Sequence, residues 1–361
     1  MRITGGQVFD LHEGFVQRDV CFDGRLLSNS STDGQSYDAS GCYVIPGLTD
    51  LHFHGCKGYD FSDADPKGLE VMAEYELSRG VTQICPAGMT LLEEQLTKVC
   101  QVAAAHKEAD KPGAALCGIN LEGPFLSMAK KGAQNGAWLH APDVAMFRRL
   151  MAASQGLVKL VSIAPEEPGA MEFIEAVEGE VTVSIAHTTA DYDTTMEAFR
   201  LGARQVTHLY NAMPPFSHRA PGVIGAAFDN DNVAVELIAD GVHVHPAVAS
   251  VLGRVKGKDK LILVTDSVSI KGLKPGFYHM KGRDVTVGED GCGRLPNGKL
   301  AGSSNRMNVL VGNLIEMMKL PLATAINAAT INPATRMGFA NKGLIETGYD
   351  ADLCVLNDDY S

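Results

Sequence analysis

Through the middle of the chain, short apolar runs alternate with amphipathic stretches. The runs "CYVIPGLTDLHFH", "VTQICPAG", "ALCGINLEG", "LVKLVSIAPE", "VTVSIAH", "QVTHLYN", "VAVELIADGVH" and "LILVTDS" are rich in β-branched and aliphatic residues, and their apolar cores are too short for helices. Between them "GLEVMAEYELSRG", "DYDTTMEAFRLG" and "PAVASVLGRV" carry apolar positions at helical spacing. Near-continuous apolar strands separated by helices predict a parallel sheet covered on both faces. About eight such units is the count of an α/β, (β/α)8 TIM-type barrel. A doubly wound open sheet is the rival, but no glycine-rich phosphate loop follows the first strand.

The two ends read differently. Residues 1–45 alternate brief β-like pieces with turn residues, and 340–361 repeat that texture up to a short final strand, "ADLCVL". These ends predict one small discontinuous β-sandwich domain around a catalytic barrel spanning 46–339. A Gly-rich stretch near 271–299 predicts a β excursion after the last barrel strand.

Composition narrows the partners. The chain has 361 residues and a formal net charge of -12, which gives no support to a nucleic-acid partner or an anionic membrane surface. No apolar run is long enough to cross a bilayer, and the N-terminus lacks the apolar core of a signal peptide. The eight cysteines are scattered without CxxC pairs, which predicts reduced thiols and a cytoplasmic setting.

In a barrel of this kind the chemistry sits where strands end. Here the first strand ends in Asp50, His52 and His54, the third in Glu122, the fifth in His187, the sixth in His208, the seventh in His243 and the eighth in Asp266. Each has a bland reading alone: a strand-end histidine is often a hydrogen-bonded structural residue, and Asp266 before Ser267 suits a turn. Together they do not. Of 11 histidines, five fall on this one rim. His52 and His54 are two apart and so share one face of the strand. Imidazole with carboxylate suits Zn²⁺, Fe²⁺ or a similar divalent ion.

At these residues the chain resembles the amidohydrolase superfamily, and within it the N-acetylglucosamine-6-phosphate deacetylases. The resemblance rests on "PGLTDLHFHG", "NLEGPF" with "KKGAQN", "SIAHTTA", "VTHLYNAM" followed by "HRAPGVIG", "IADGVH", "LVTDS", "LAGS" and "INPATRMG", in that order across nearly the whole chain. It implies Glu122, His187 and His208 as ligands of a catalytic metal, and His52 with His54 for a second, so one or two ions per subunit. It implies Asp266 as the general base and acid of amide hydrolysis. An amino sugar phosphate would be the substrate, with its phosphate held by Asn211, the backbone N–H of Ala212, Arg219 and His243. Some of those contacts would cross between subunits of a homodimer. Ala301, Gly302 and Ser303 would line the sugar pocket. Where the best-known members polarise the substrate carbonyl with a histidine, this chain has Gln134, whose amide can donate a hydrogen bond but cannot become cationic.

Rival readings are thinner. A cyclic-amide hydrolase of the dihydroorotase type would place a modified lysine at the end of the fourth strand, where this chain has Ser162 and Ala164. A non-catalytic scaffold would be expected to lack a ligand or the acid, and none is missing. A related sugar such as N-acetylgalactosamine 6-phosphate stays open.

Overall fold

The computed structural model describes residues 1–30, 34–280, 283–290, 292–298 and 300–360; of Met280, Arg283, Leu300 and Ala301 only the backbone is described. The eight apolar runs become β1 (Leu48–Asp50), β2 (Val81–Ile84), β3 (Ile119–Leu121), β4 (Val158–Ile163), β5 (Thr182–Ile185), β6 (Gln205–Val206), β7 (Ala234–Leu237) and β8 (Leu261–Leu263). A helix follows each in turn: α1 (Pro66–Leu77), α2 (Glu93–Glu108), α3 (Val144–Ala153), α4 (Ala170–Ala176), α5 (Tyr192–Leu201), α6 (Gly222–Asp229), α7 (Pro246–Lys260) and, after β8 and an intervening β segment, α8 (Met307–Glu316). Several starts are written in the sequence: Asp65, Asp143 and Asp191 each accept a backbone N–H of the first turn, and Pro66 occupies the first position of α1.

Neighbouring strands pair in parallel from β1 to β8, the step from β2 to β3 being made by the short strand Ala87–Gly88. Every residue of β2 and β7 is buried, as strands covered on both faces require. Two apolar clusters result. A large one lies between strands and helices, with Val99, Leu150, Phe173 and Leu252 among its members. A small one gathers Leu51, Cys85, Leu160, Ala234 and Ile262, which come from or sit just beyond β1, β2, β4, β7 and β8. Just past the strand ends the first and last segments meet: Asp266 donates its N–H to the His52 carbonyl at 2.8 Å, and His54 donates its own to the Ser267 carbonyl at 2.7 Å.

Residues from both chain ends share a sheet. Leu353–Leu356 pairs antiparallel with Tyr43–Pro46, which lies beside Gln7–Asp10, itself paired with Gly14–Gln17. A second four-stranded sheet is built from Leu26–Ser28, Val20–Asp23, Arg2–Thr4 and Ser36–Asp38. Ile3, Val8, Val20, Leu27, Val44 and Ile345 form one apolar cluster across these two sheets.

After β8 the chain makes the antiparallel sheet Gly276–Met280, Arg283–Val287, Cys292–Arg294 and Leu300–Ser303. Lys281, Gly282, Gly291 and Lys299 of this stretch lie outside the described residues. Its last strand docks on the rim: Ser303 bridges Ser267 and donates its N–H to the Asp266 carbonyl at 3.4 Å. Gly302 permits that approach, since at φ 113° a β-carbon there would meet Val268 Cγ1 at 2.6 Å.

All eight cysteines are free thiols. No helix among the described residues is long and apolar enough to cross a membrane.

Candidate metal centre

Glu122 is the hub. It follows β3 directly, its N–H still bonded to the Gly88 carbonyl, so the ladder fixes where its carboxylate goes. One oxygen, Oε1, faces His208 Nε2 at 3.0 Å, His187 Nε2 at 3.1 Å and His52 Nε2 at 3.4 Å. The other, Oε2, faces His54 Nε2 at 3.2 Å and accepts from Gln134 Nε2 at 2.7 Å. Asp266 Oδ1 lies 3.3 Å from His54 Nε2 and 3.7 Å from His52 Nε2. The six residues form two adjoining clusters, Glu122–His187–His208 and His52–His54–Asp266.

The tautomers follow from what lies behind the rings. His52 Nδ1 faces the Glu236 carboxylate at 2.9 Å, His54 Nδ1 the Ala87 carbonyl at 3.1 Å, and His187 Nδ1 the Lys130 carbonyl at 2.8 Å. Each partner only accepts, so each Nδ1 carries the hydrogen. When the rings are neutral, three Nε2 lone pairs therefore point at two carboxylates, and His187 and His208 oppose Nε2 to Nε2 at 3.1 Å. Lone pairs and anions crowd there with too few donors between them. Donor atoms sharing an ion at about 2.0–2.2 Å stand roughly 3.0–3.5 Å apart, the spacing seen here. Buried His52 Nε2 also lacks a hydrogen-bond partner among the described residues. The residues fit a divalent cation.

The charges respond as such a site should. Burial opposes the cationic form of His54, but hydrogen bonds to Asp266 and Glu122 outweigh it and lift its pKa to about 10. His52 likewise rises well above the ordinary imidazole value, because Glu236 and Glu122 overcome its desolvation. Burial works against ionised Glu122 too, yet His52 and the other imidazoles hold its carboxyl well below the usual range. Protons and a metal would compete for the same lone pairs.

Three of these residues strain the backbone: His187 has φ 43°, His208 29° and Asp266 45°, all in the left-handed region just past a strand. Such strain persists where surrounding structure over-determines it, and it clusters at functional sites. Asp266 differs from Glu122 in access. Its side chain is 18% exposed against 4% for Glu122, which leaves Asp266 as the carboxylate at the solvent edge.

Other residues singled out from the sequence separate into two groups. Gln134 reaches the cluster, its amide held at both ends: Oε1 accepts from Thr90 N–H at 2.7 Å while Nε2 donates one hydrogen to Glu122. Gly132, at φ 57°, lets the same loop cross the His187 ring, where a β-carbon would stand 3.3 Å from Cε1. Ser303 and Gly302 sit beside Asp266, as described; Ala301 precedes them in the same strand. By contrast, Asn211 Nδ2 donates to the His208 and Leu209 carbonyls, holding the turn after β6, and the Ala212 carbonyl accepts from Thr188. His243 Nδ1 donates to Asp240 at 2.6 Å. Arg219 is exposed and makes no ion pair among the described residues. Among the described residues only Asn211 of these four bonds to a cluster residue, through the His208 backbone carbonyl.

Glu236 escaped the sequence reading. So did Gln205, whose Nε2 donates to Glu236 Oε1 at 2.7 Å; Asp50, which the sequence places with His52 and His54 at the end of the first strand, accepts from Thr265 Oγ1 at 2.6 Å and the His52 N–H at 3.3 Å. The available signal was an ionisable residue in the middle of an apolar run, "VAVELIADG".

A parallel βα sheet whose strand ends converge imidazoles and carboxylates on one point is the architecture of a metal-site α/β enzyme. The model of the amidohydrolase family matches residues 43–361, and the chain belongs to that family. It is 39% identical to the N-acetylglucosamine-6-phosphate deacetylase of Bacillus subtilis (strain 168) over 321 residues, 88% of this chain and 81% of that protein. It is 33% identical to the N-acetylgalactosamine-6-phosphate deacetylase of Escherichia coli O157:H7, over 87% of this chain and 83% of the relative. Among solved structures, a mutant N-acetyl-D-glucosamine-6-phosphate deacetylase from Mycobacterium smegmatis, in complex with N-acetyl-D-glucosamine-6-phosphate, superposes with a TM-score of 0.90 at 30% identity, covering 100% of this chain and 96% of that one.

Proposed function

We propose that this chain is a metal-dependent N-acetylglucosamine-6-phosphate deacetylase, cleaving the acetamide of its substrate to acetate and glucosamine 6-phosphate. The observation that carries the reading is the convergence of imidazole lone pairs and carboxylates beside a partly exposed Asp266. Glu122, His187 and His208 hold one divalent cation, and His52, His54 and Asp266 can hold a second; the nitrogen-and-oxygen donor set suits Zn²⁺ or Fe²⁺. Bound there, the cation supplies Lewis-acid polarisation and makes a water nucleophilic near neutral pH. Asp266 takes the proton of the attacking water as the new C–O bond forms. It returns that proton to the nitrogen as the C–N bond breaks, so the amine leaves neutral. Burial disfavours ionised Asp266, but the hydrogen bond to His54 holds its pKa below the usual value, so it enters the cycle as a base.

His243 and Arg219 bind the phosphate with the Asn211–Ala212 turn, Arg219 through its planar fork. Its exposure and lack of an ion pair suit a side chain that serves the neighbouring subunit of a homodimer. Gln134, with its amide committed to Glu122 and Thr90, holds the ligand carboxylate, while Ala301, Gly302 and Ser303 border the sugar. The reading includes a closed (β/α)8 barrel over 46–339, supported by the hydrogen bonds between the ends of β1 and β8. It also includes a small discontinuous domain from 1–45 and 340–361, supported by the sheet that residues from both chain ends share. A cytoplasmic setting accords with the eight free thiols.

The test is acetate release by metal-reconstituted protein over N-acetyl sugars with and without 6-phosphate. N-acetylglucosamine 6-phosphate should be turned over best. Preference for N-acetylgalactosamine 6-phosphate would move the assignment to the activity named for the Escherichia coli relative. No acetate from any N-acetyl sugar would end it.

A further inference from the structure

Glu236 is wholly buried on β7 and belongs to neither ligand cluster, yet three donors converge on it. Oε2 accepts from His52 Nδ1 at 2.9 Å and from the backbone N–H of His208 at 3.2 Å; Oε1 accepts from Gln205 Nε2 at 2.7 Å. We propose that Glu236 is the positioning residue that enables the His52–His54–Asp266 side of the site to hold its own cation. The inference rests on the metal-dependent reading above and specifies which residue decides the second ion.

Three features lead there. First, Glu236 fixes the His52 tautomer: a carboxylate can only accept, so Nδ1 keeps its hydrogen and the buried, unpartnered Nε2 carries the lone pair toward the site. Second, it places a full negative charge behind that ring, where His54 and His187 have only backbone carbonyls. A carboxylate behind a ligating imidazole raises its basicity and fixes its orientation. Third, charge must balance in a buried site. Two divalent cations bring four positive charges; Glu122 and Asp266 offset two, and Glu236 is a third carboxylate, bonded to the His52 imidazole. The shared Oε2 also spans both clusters, since His208, whose N–H it receives, belongs to the first. That backbone is strained, at φ 29°.

The experiment counts metal. Metal-free wild type and Glu236→Gln, which keeps the shape and removes the charge, are dialysed against Zn²⁺ and assayed for bound metal, with a competing chelator giving each affinity. Wild type should bind two equivalents. E236Q should keep the first at near wild-type affinity and weaken the second about 10–100-fold, the usual scale for such a partner. Retention of the first equivalent shows that E236Q has folded. If it does not fold, Gln205→Leu, which frees Oε1 and loosens the carboxylate, should weaken the second equivalent in the same direction. Two ions bound with unchanged affinity in the folded variant would overturn the proposal. So would equal weakening of both ions, or a wild type that binds only one. A wild type that binds no metal would instead sink the metal-dependent reading itself.

Discussion

The ligand cluster and the four residues proposed to hold phosphate are built on opposite plans. Glu122, His187, His208, His52 and His54 are buried and stand at strand ends, and the Glu122 carboxylate and the rings of His52, His54 and His187 are oriented by further groups. Asn211, Ala212 and Arg219 lie on the loop between β6 and α6, His243 follows β7, and Arg219 is free of any ion pair among the described residues. A cation needs donors held within tenths of an ångström, which parallel strands provide. A phosphorylated sugar must enter and leave, and the anchors proposed for it sit on loops. Rigidity is placed where the chemistry is, and adaptability where the substrate arrives.

The difference can be broken at either end. The largest expected effect is at the rim. Asp266→Asn should lower kcat roughly 10²–10⁴-fold, the usual scale of a general acid–base, while KM changes little. Steady-state acetate release decides it, and near-normal turnover would remove Asp266 from proton transfer.

Next comes the frame beneath the rim. Lys271 is wholly buried, with Nζ 2.8 Å from Glu76 Oε1 on α1 and 4.0 Å from Asp50 Oδ2, and Asp50 braces the His52 and Thr265 backbones. Lys271→Met leaves two buried carboxylates without their cation and should destabilise the protein by about 3–5 kcal/mol. Denaturant unfolding would show it, and a loss under about 1 kcal/mol would mean that the triad does not brace the rim.

On the loop side, Arg219→Ala should raise KM for the phosphorylated sugar about tenfold, the loss of one charge-assisted contact of roughly 1.5 kcal/mol. It should leave the unphosphorylated sugar almost unaffected. Equal losses on both sugars would make Arg219 structural.

The smallest effect is a shift along the pH axis. Burial disfavours cationic His243, but Asp240 outweighs it and raises the pKa. Phosphate binding through His243 should therefore hold at low pH and weaken as pH rises through that raised value. Asp240→Asn should move the weakening to lower pH, measured as KM against pH. An unshifted profile would detach His243 from the phosphate.

The same contrast separates what was legible in the sequence from what was not. Strand order, alternation with helices and the rim residues all follow from local patterns: an apolar run, its end, and the two-residue spacing of His52 and His54. Partners do not. "VAVELIADG" shows that Glu236 interrupts an apolar strand, but only the fold places it behind His52, 184 positions away. Gln134 was readable as a substitution at the site, yet its direction is set by Thr90, 44 positions back, which turns the amide toward Glu122. Arg219 was readable only through family resemblance, because nothing in its own loop makes it more than a surface residue.

The most direct measurement is acetate release from N-acetylglucosamine 6-phosphate by the same preparation before chelation, after it, and after Zn²⁺ or Fe²⁺ is returned. Turnover, its loss, and its recovery in step with bound metal are the expected results. Undiminished turnover in protein shown to be metal-free would contradict the metal-dependent reading.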